Sequence, residues 1–272
     1  MKLGRRFRCL LCSTVVLTAC AASLASPMRA MELTVSPPRI ELNVEPGKQV
    51  EGTILLSGSF PTAAVIRVTY GDWSLKPNGD FIFFERSGLQ SRSLLGWLEV
   101  SPGKFTMSGK QMQTVRYRLR PPEDITGGYW GMIFLQGDPK PVTAGQGSVG
   151  VNIVGRLAVI VYAQTQRGAI VDGKVKGVTA KWAEGSLAMT ANFVNLGNVM
   201  LRLKGRFEIR DAASGKTVAK VNFENLPVLP DGNRIIAMTE KEQLAPGAYA
   251  LVAVVDYGGK SNVAGQCSFK IR

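Results

Sequence analysis

Short runs in which apolar and polar residues alternate recur along this chain, separated by segments rich in glycine and proline. Alternation places every second side chain on one face of an extended strand, whereas an amphipathic helix needs apolar residues three and four positions apart. The helical spacing is rare here, and Pro77-Asn78-Gly79-Asp80 is a strong hairpin signal. The sequence therefore predicts an all-β protein with many strands joined by turns.

The strand signals fall into two groups along the chain. The first group predicts about seven or eight strands with regularly spaced turns, which is the pattern of an immunoglobulin-like sandwich. The second group repeats this pattern without repeating the residues. A chain of 272 residues with 45% hydrophobic content can build two cores of ordinary size. We predict two immunoglobulin-like β-sandwich domains in tandem, over residues 31–162 and 167–272.

One segment, GQGSVGVNIVGRLAVIVY (Gly145–Tyr162), changes its pattern part of the way along. In its first part Val149, Val151 and Ile153 alternate with small and polar residues, which predicts a half-exposed strand. In its second part Leu157–Val161 is continuously apolar, which predicts a strand buried on both faces. One long strand is therefore predicted to be exposed at its beginning and enclosed at its end.

The composition argues against catalysis. The chain contains no histidine, which is the commonest general base and a frequent metal ligand. The sequence also lacks a phosphate-binding glycine loop, a cluster with metal-ligand spacing and a nucleophile motif. We predict a protein that is not an enzyme and that uses no cofactor.

The N terminus has the pattern of an export signal, predicted over residues 1–25. Basic residues precede an apolar run, Cys9–Ala19, that is too short to span a membrane. Two cleavage sites compete. Leu17-Thr18-Ala19-Cys20 fits the lipobox of bacterial lipoproteins and would leave Cys20 as a lipidated N terminus held at a membrane. Ser23-Leu24-Ala25 fits ordinary signal peptidase.

The formal net charge of +13 is concentrated in the second half of the chain. Residues 31–150 carry 12 Lys/Arg and 11 Asp/Glu, whereas residues 151–272 carry 16 and 9. One predicted strand places four basic side chains on one face: Arg202, Lys204, Arg206 and Arg210. This face fits an acidic partner or lipid phosphates, or else it is a solvated surface that discourages edge pairing. No nucleic-acid recognition motif accompanies the charge.

Several segments in the first half carry a family resemblance through their order and spacing. They are SPPRIEL (Ser36–Leu42), VTYGDW followed by the PNGD hairpin, WLEVSPGKFTM (Trp97–Met107), QTVRYRLRPP (Gln113–Pro122), GGYWGMIFL (Gly127–Leu135) and the strand Val149–Tyr162. Together, over about 130 residues, they resemble the N-terminal domain of the periplasmic pilus-assembly (fimbrial) chaperones of Gram-negative bacteria. The second half is similar to that family only in size and class.

The resemblance implies a function in the periplasm. Chaperones of this family donate the last strand of the first domain to a pilus subunit that lacks its final strand, and alternate apolar residues fill the subunit's groove. On this resemblance Val149, Val151 and Ile153 are the donated residues, pilin-like subunits are the partners, and an outer-membrane usher is a further partner. The alternative is an ordinary edge strand whose alternate residues pack on its own core.

The resemblance also implies an anchor for the subunit's C-terminal carboxylate, formed by two basic residues. Arg39 lies where the first is expected. Ala158 falls near the position of the second, and Arg156 lies two residues earlier on the same strand face. Arg156 is therefore the candidate for the second anchor. The alternative for both arginines is solvated surface charge.

A second function from a different class also fits the sequence. Lipidation of Cys20 and the basic second half favour a lipoprotein tethered to the outer membrane, with structural or adhesive immunoglobulin-like domains. An unpaired apolar strand also favours self-association, in which a second copy caps the donor strand.

Overall fold

The computed structural model describes residues 32–84, 88, 90–138, 155–241 and 244–271. This part of the chain is almost entirely β-structure, with a single 3-10 turn at Leu95–Trp97 and no α-helix. Within it, no helix has the length and apolar character needed to cross a membrane. The strands are β1 (Glu32–Ser36), β2 (Arg39–Asn43), β3 (Val50–Leu75), β4 (Phe81–Phe84), β5 (Leu98–Ser101), β6 (Lys104–Leu119), β7 (Gly128–Gly137), β8 (Arg156–Gln164), β9 (Gly173–Ala183), β10 (Ser186–Asn195), β11 (Leu201–Asp211), β12 (Thr217–Val228), β13 (Asn233–Glu240), β14 (Gly247–Asp256) and β15 (Val263–Ile271).

The first sandwich is built from one continuous eight-stranded sheet that folds over itself. Its strand order is β2-β8-β7-β3-β6-β5, and β1 and β4 also pair with β3. The 26-residue strand β3 joins the two layers, because it pairs with β1 and β6 up to Arg67 and with β7 and β4 from Ile66 to Leu75. Its pairing with β6 shows a register shift between Phe60 and Ala64, where the strand bends.

The second sandwich consists of two separate antiparallel sheets. One has the order β13-β10-β9 and the other the order β12-β11-β14-β15. The inward face of β10 is apolar at every second position, and its four fully buried members are Leu187, Met189, Ala191 and Phe193. This is the alternation that a strand with one buried and one partly solvated face requires.

Each sandwich encloses its own hydrophobic core. The first core includes Ile54, Leu56 and Leu135, and the second includes Leu203, Phe207 and Leu251. All six side chains are fully buried. Because burying an aliphatic or aromatic side chain contributes about 1.5–3 kcal/mol, these two cores supply most of the stability of the fold.

The predicted all-β class and the two tandem immunoglobulin-like sandwiches are confirmed by this architecture. The hairpin predicted at Pro77-Asn78-Gly79-Asp80 joins β3 to β4. The sequence pattern predicts separate strands at Gly52–Leu56 and Ala63–Trp73, but the structure joins them in the single strand β3. The boundary between residues 162 and 167 stays a prediction, as does the export signal over residues 1–25, which lies outside the described residues.

Candidate functional site: an open strand edge beside a charged and aromatic cleft

The two edges of β8 are paired to different extents in the part of the chain that the structure describes. Strand β7 pairs with β8 along the whole of Arg156–Gln164, whereas β2 pairs with it in parallel only from Ile160 onward. Leu157–Val159 therefore present main-chain groups on the side away from β7. An extended peptide can add to such an edge through main-chain hydrogen bonds.

The two faces of β8 contact different surroundings. One face, with Val159 and Val161, lies in the first core, where both side chains are fully buried. The other face, with Ile160 and Tyr162, packs in a cluster between the two sandwiches. The predicted burial of Leu157–Val161 on both faces is only partly confirmed. Val159 and Val161 are fully buried, whereas Leu157, Ala158 and Ile160 are half-buried, and Ile160 borders a cleft between the sandwiches.

The predicted donor residues Val149, Val151 and Ile153 lie outside the described residues. Their role stays a prediction. Cys20, the predicted lipidation site, also lies outside the described residues.

The two predicted anchor arginines are not brought together. Arg39 lies on β2 directly opposite Ile160 of β8, so Arg156 is four residues away along β8, or roughly 13 Å at about 3.3 Å per residue. The Arg156 guanidinium carbon lies 3.5 Å from the centre of the Phe134 ring, within the range of a cation–π contact. Arg39 and Arg156 occupy the same face of the sheet, but they contact different groups.

Arg39 lies instead in a cleft between the sandwiches, together with a carboxylate and an arginine from the second sandwich. Its Nε atom is 3.7 Å from Oε1 of Glu41, and Nη2 of Arg202 donates to the same oxygen. Arg202 also donates from Nη1 to Oδ1 of Asn225, at 3.0 Å. Glu41 is thus a carboxylate held by guanidinium groups from two sandwiches, which is the geometry of a charge-assisted pair.

Aromatic and apolar side chains form the remaining walls of this cleft. It is lined by Arg39, Glu41, Trp73, Phe81, Ile160, Tyr162, Met200, Arg202 and Pro227. The Phe81 ring lies 5.3 Å from Trp73 and stacks on Phe83 at 5.8 Å between centroids. Phe83 is 55% exposed and Phe81 38% exposed. An exposed pair of stacked aromatic rings beside a charged cleft is a surface suited to binding.

The floor of the cleft belongs to the junction cluster, a group of buried side chains that joins the sandwiches. Its members are Trp73, Trp130, Met132, Phe134, Tyr162 and Leu229. Each of the two indoles donates a hydrogen bond to a main-chain carbonyl. Trp73 Nε1 donates to the Gly131 carbonyl at 3.0 Å, and Trp130 Nε1 donates to the Trp73 carbonyl at 2.7 Å. The Tyr162 hydroxyl accepts from the Met200 N–H, and burial raises the pKa of Tyr162 to about 12.

The basic residues predicted on one face of β11 are largely paired. Arg206 and Arg210 both donate to the buried carboxylate of Glu208, and Lys204 lies 3.3 Å from Asp256. The Arg210 and Arg206 guanidinium groups lower the pKa of Glu208, because their hydrogen bonds favour the ionised carboxylate. The surface role predicted for these residues stays a prediction, and pairing reduces the charge that they offer to a partner.

Sequence comparisons give no relative for this chain. No protein-family model matches it, and no curated protein matches it. Within the described residues, no group of three or more histidine, cysteine, aspartate or glutamate side chains is placed to hold a metal ion.

Comparison with solved structures finds proteins of similar fold. The class 5 fimbriae chaperone CfaA matches with a TM-score of 0.48 and 10% identity, covering 86% of this chain and 98% of its own. The E. coli chaperone DraB matches with a TM-score of 0.40 and 16% identity, over 89% of this chain and 98% of its own. The Salmonella enterica complex of the SafA pilin with the SafB chaperone matches with a TM-score of 0.41 and 12% identity, over 88% and 96%. The chain is thus similar to fimbrial chaperones over most of its length.

Proposed function

We propose that this protein is a periplasmic chaperone that binds pilus or fimbrial subunits by donating a strand during the assembly of surface appendages. The observation that carries the proposal is the open edge of β8. This edge, at Leu157–Val159, follows the segment in which Val149, Val151 and Ile153 alternate in the sequence. Main chain that is already paired on one side by β7 is held in extended form, and its other side is available to a partner.

Strand donation needs two things that this chain combines. Main-chain hydrogen bonds along the open edge supply affinity for any extended segment, and alternate side chains that fit a groove supply specificity. Valine and isoleucine suit the second task, because their branched side chains fill a pleated apolar groove and favour the extended backbone. Arg39, with Arg156 further along the same face, supplies positive charge for the subunit's C terminus.

The proposal describes a binding protein rather than an enzyme. Its partners are pilin-like subunits and an outer-membrane usher that receives them. The periplasmic location rests on the export signal predicted over residues 1–25, whichever of the two cleavage sites is used. The predicted cleavage at Cys20 would place the same chaperone on the outer membrane.

The test compares substitutions at two adjacent residues, whose side chains face opposite sides of an extended strand. Val151→Asp places a charge on the donated face, and Asn152→Asp places the same charge on the other face. Each variant is co-expressed in the periplasm with a fimbrial subunit that the wild-type protein keeps soluble, and the amount of soluble subunit is quantified. We expect Val151→Asp to reduce soluble subunit at least tenfold, because an unpaired carboxylate in an apolar groove is strongly unfavourable.

The Asn152→Asp variant should keep the wild-type amount of soluble subunit. Circular dichroism and the thermal midpoint of each purified variant establish that both remain folded. Equal protection of the subunit by wild type and Val151→Asp, with both proteins folded, would overturn strand donation by this segment.

A further inference from the structure

The surplus positive charge of the second half of the chain is not shared equally between the two faces of the second sandwich. On the outer face of the four-stranded sheet, Arg206 and Arg210 donate to Glu208, and Lys204 pairs with Asp256. The Glu208 side chain is only 4% exposed, so both arginines are committed to a buried carboxylate. The basic face that the sequence predicts on β11 therefore carries its own counter-charges.

The outer face of the three-stranded sheet has basic side chains of a different kind. On β9, Val178 and Trp182 pack on the core of the second sandwich, whereas Lys174, Lys176 and Lys181 are exposed. Among the residues that the structure describes, none of these three lysines forms an ion pair. The lysine face, as this surface of β9, β10 and β13 is called below, therefore presents its positive charge without compensation.

The floor of the lysine face is mostly short and uncharged. The register places Ala188 of β10 between Lys181 and Thr239, and it places Thr190 between Thr179 and Ala237. In the described strands of this sheet, the positions that point away from the core carry no acidic side chain. The lysine side chains thus stand above a flat surface that neither neutralises nor encloses them.

The spacing of the three lysines indicates an extended ligand. Lys174 and Lys181 are seven residues apart, or roughly 23 Å at about 3.3 Å per residue. One carboxylate or one phosphate cannot contact both ends of such a row. The ligand that uses the whole lysine face therefore carries many anionic groups over a wide area.

The choice of lysine rather than arginine indicates what kind of anion this is. Arginine holds a single carboxylate through its planar fork, and in this molecule arginines hold Glu41 and Glu208. A lysine ammonium is a point charge on a flexible stem, and lysine is depleted in interfaces between proteins. The lysine face therefore suits a layer of exchangeable phosphates better than the defined side chains of an acidic protein.

We propose that the lysine face docks on the headgroups of an anionic phospholipid bilayer. A bilayer surface is flat and wide, and its negative potential attracts each lysine that comes near it. This inference goes beyond the proposed chaperone function and does not depend on it, because the open edge of β8 belongs to the first sandwich.

Three lysines make this docking weak and reversible. Each basic residue near an anionic bilayer raises the affinity about fivefold, so the three together contribute about a hundredfold. Stable anchoring needs a second signal, which acylation of Cys20 would supply. The lysine face would then determine which side of the second sandwich meets the membrane.

The experiment measures sedimentation of the chain with phospholipid vesicles. The chain begins at Ser26, so it carries no acyl group that could bind by itself. One set of vesicles contains equal amounts of phosphatidylglycerol and phosphatidylcholine, and the other contains phosphatidylcholine alone. We expect sedimentation with the anionic vesicles only, and release by about 0.5 M sodium chloride, where the Debye length falls to roughly 4 Å.

A triple substitution removes the charge of the lysine face. Combining Lys174→Gln, Lys176→Gln and Lys181→Gln should weaken binding to the anionic vesicles about a hundredfold. The matched control removes three exposed lysines that lie outside this face, and it should bind as the wild type does. Its substitutions are Lys216→Gln, Lys220→Gln and Lys270→Gln.

A single added lysine gives the opposite test. Thr239 is exposed on β13, so Thr239→Lys should tighten binding about fivefold. Val218→Lys adds the same charge on β12, where Val218 is 49% exposed, and it should leave the affinity unchanged.

Equal binding by the wild type and the lysine-face triple variant, with both folded by circular dichroism, would overturn the inference. Equal binding to neutral vesicles, or none to anionic vesicles at millimolar lipid, would do the same. Binding to polyglutamate but not to vesicles would assign the face to an acidic protein and reject the bilayer. Val151→Asp should keep wild-type vesicle binding, so failure of the chaperone proposal and failure of this inference are distinguishable.

Discussion

At the scale of single residues, Tyr162 connects the two sandwiches through one hydroxyl group. Its ring is buried in the junction cluster, and its hydroxyl oxygen accepts from the Met200 N–H. Burial disfavours the tyrosinate, and it raises the pKa of Tyr162 to about 12. The folded protein therefore holds this proton more tightly than the unfolded chain, in which tyrosine titrates near pH 10.

This difference predicts a loss of stability in alkali. Below pH 10 the hydroxyl is protonated in both states and makes no pH-dependent contribution. Between pH 10 and 12 the unfolded chain loses the proton first, so the free energy of unfolding falls, by about 2 kcal/mol at pH 12 from this residue. Urea unfolding of wild type and Tyr162→Phe at pH 8 and pH 11.5 measures the difference.

The phenylalanine variant should be less stable at pH 8, by about 1–3 kcal/mol, because the Met200 N–H loses its acceptor. It should also show a shallower fall with pH. Part of the fall will persist, since burial also raises the pKa of Tyr70 and Tyr117. Identical slopes in wild type and Tyr162→Phe would contradict the assignment.

The sequence predicted one residue of the cleft, Arg39, but gave no indication of another, Glu41. The family resemblance marked Arg39 as an anchor, and the structure places it in the cleft. Glu41 carried no signal in the sequence, because its role depends on Arg202, which is 161 residues away. Contacts between residues so distant arise from packing of the two sandwiches, and no local pattern records them.

At the scale of elements, the β3–β4 hairpin reaches from the first sandwich to the second. Its turn was predicted from Pro77-Asn78-Gly79-Asp80, and the Lys76 N–H donates to the Asp80 carbonyl as such a turn requires. The tip then contacts β13, where the Ile235 N–H donates to the Pro77 carbonyl at 2.7 Å. Gly79 has a φ of +94°, and a Cβ atom there would lie 1.5 Å from Nη1 of Arg234.

A methyl group at Gly79 should therefore loosen this contact. Gly79→Ala combines the cost of a positive φ, about 1–2 kcal/mol, with displacement of the Arg234 guanidinium. Gly215→Ala is the matched control, because Gly215 has a φ of +68° in an exposed turn with no atom within 4 Å of the added Cβ. We expect Gly79→Ala to cost about 1–3 kcal/mol more than the control, in the range of overpacked sites.

Chemical denaturation of the two variants gives this comparison directly. Equal losses would show that Arg234 moves aside freely and that the hairpin tip contributes little to the contact between sandwiches. The sequence predicted the turn because turn chemistry is local, but it gave no indication that the tip would meet Arg234. The sequence predicted two strands in place of β3, because the residues between Phe60 and Ala64, where the strand bends, interrupt the alternation of apolar and polar residues.

At the scale of the whole molecule, the junction cluster determines whether the sandwiches move as one. Leu229 comes from the second sandwich and is buried among Trp73 and Trp130 of the first. Replacing it with glutamate would place a charge among apolar rings, which is strongly unfavourable. We expect Leu229→Glu to separate the sandwiches while each keeps its own core.

Backbone ¹⁵N relaxation measures this separation. In the wild-type protein both sandwiches should share one rotational correlation time, whereas in Leu229→Glu each should tumble faster and independently. Val218→Glu is the control, because Val218 is 49% exposed on β12 and introduces the same charge away from the junction. A single, unchanged correlation time in Leu229→Glu would refute the role given to the junction cluster.

The sequence by itself determined the all-β class, the two sandwiches and the hairpin turn, because alternation and turn chemistry act over a few residues. Tertiary structure alone decided how far Leu157–Val161 is enclosed, which edge of β8 stays open and which charges from different sandwiches meet in the cleft. Arg39, Glu41 and Arg202 illustrate the difference. Arg39 and Glu41 are neighbours on one face of β2, so their pairing is local, whereas only the packing of the second sandwich against the first brings Arg202 to the same carboxylate.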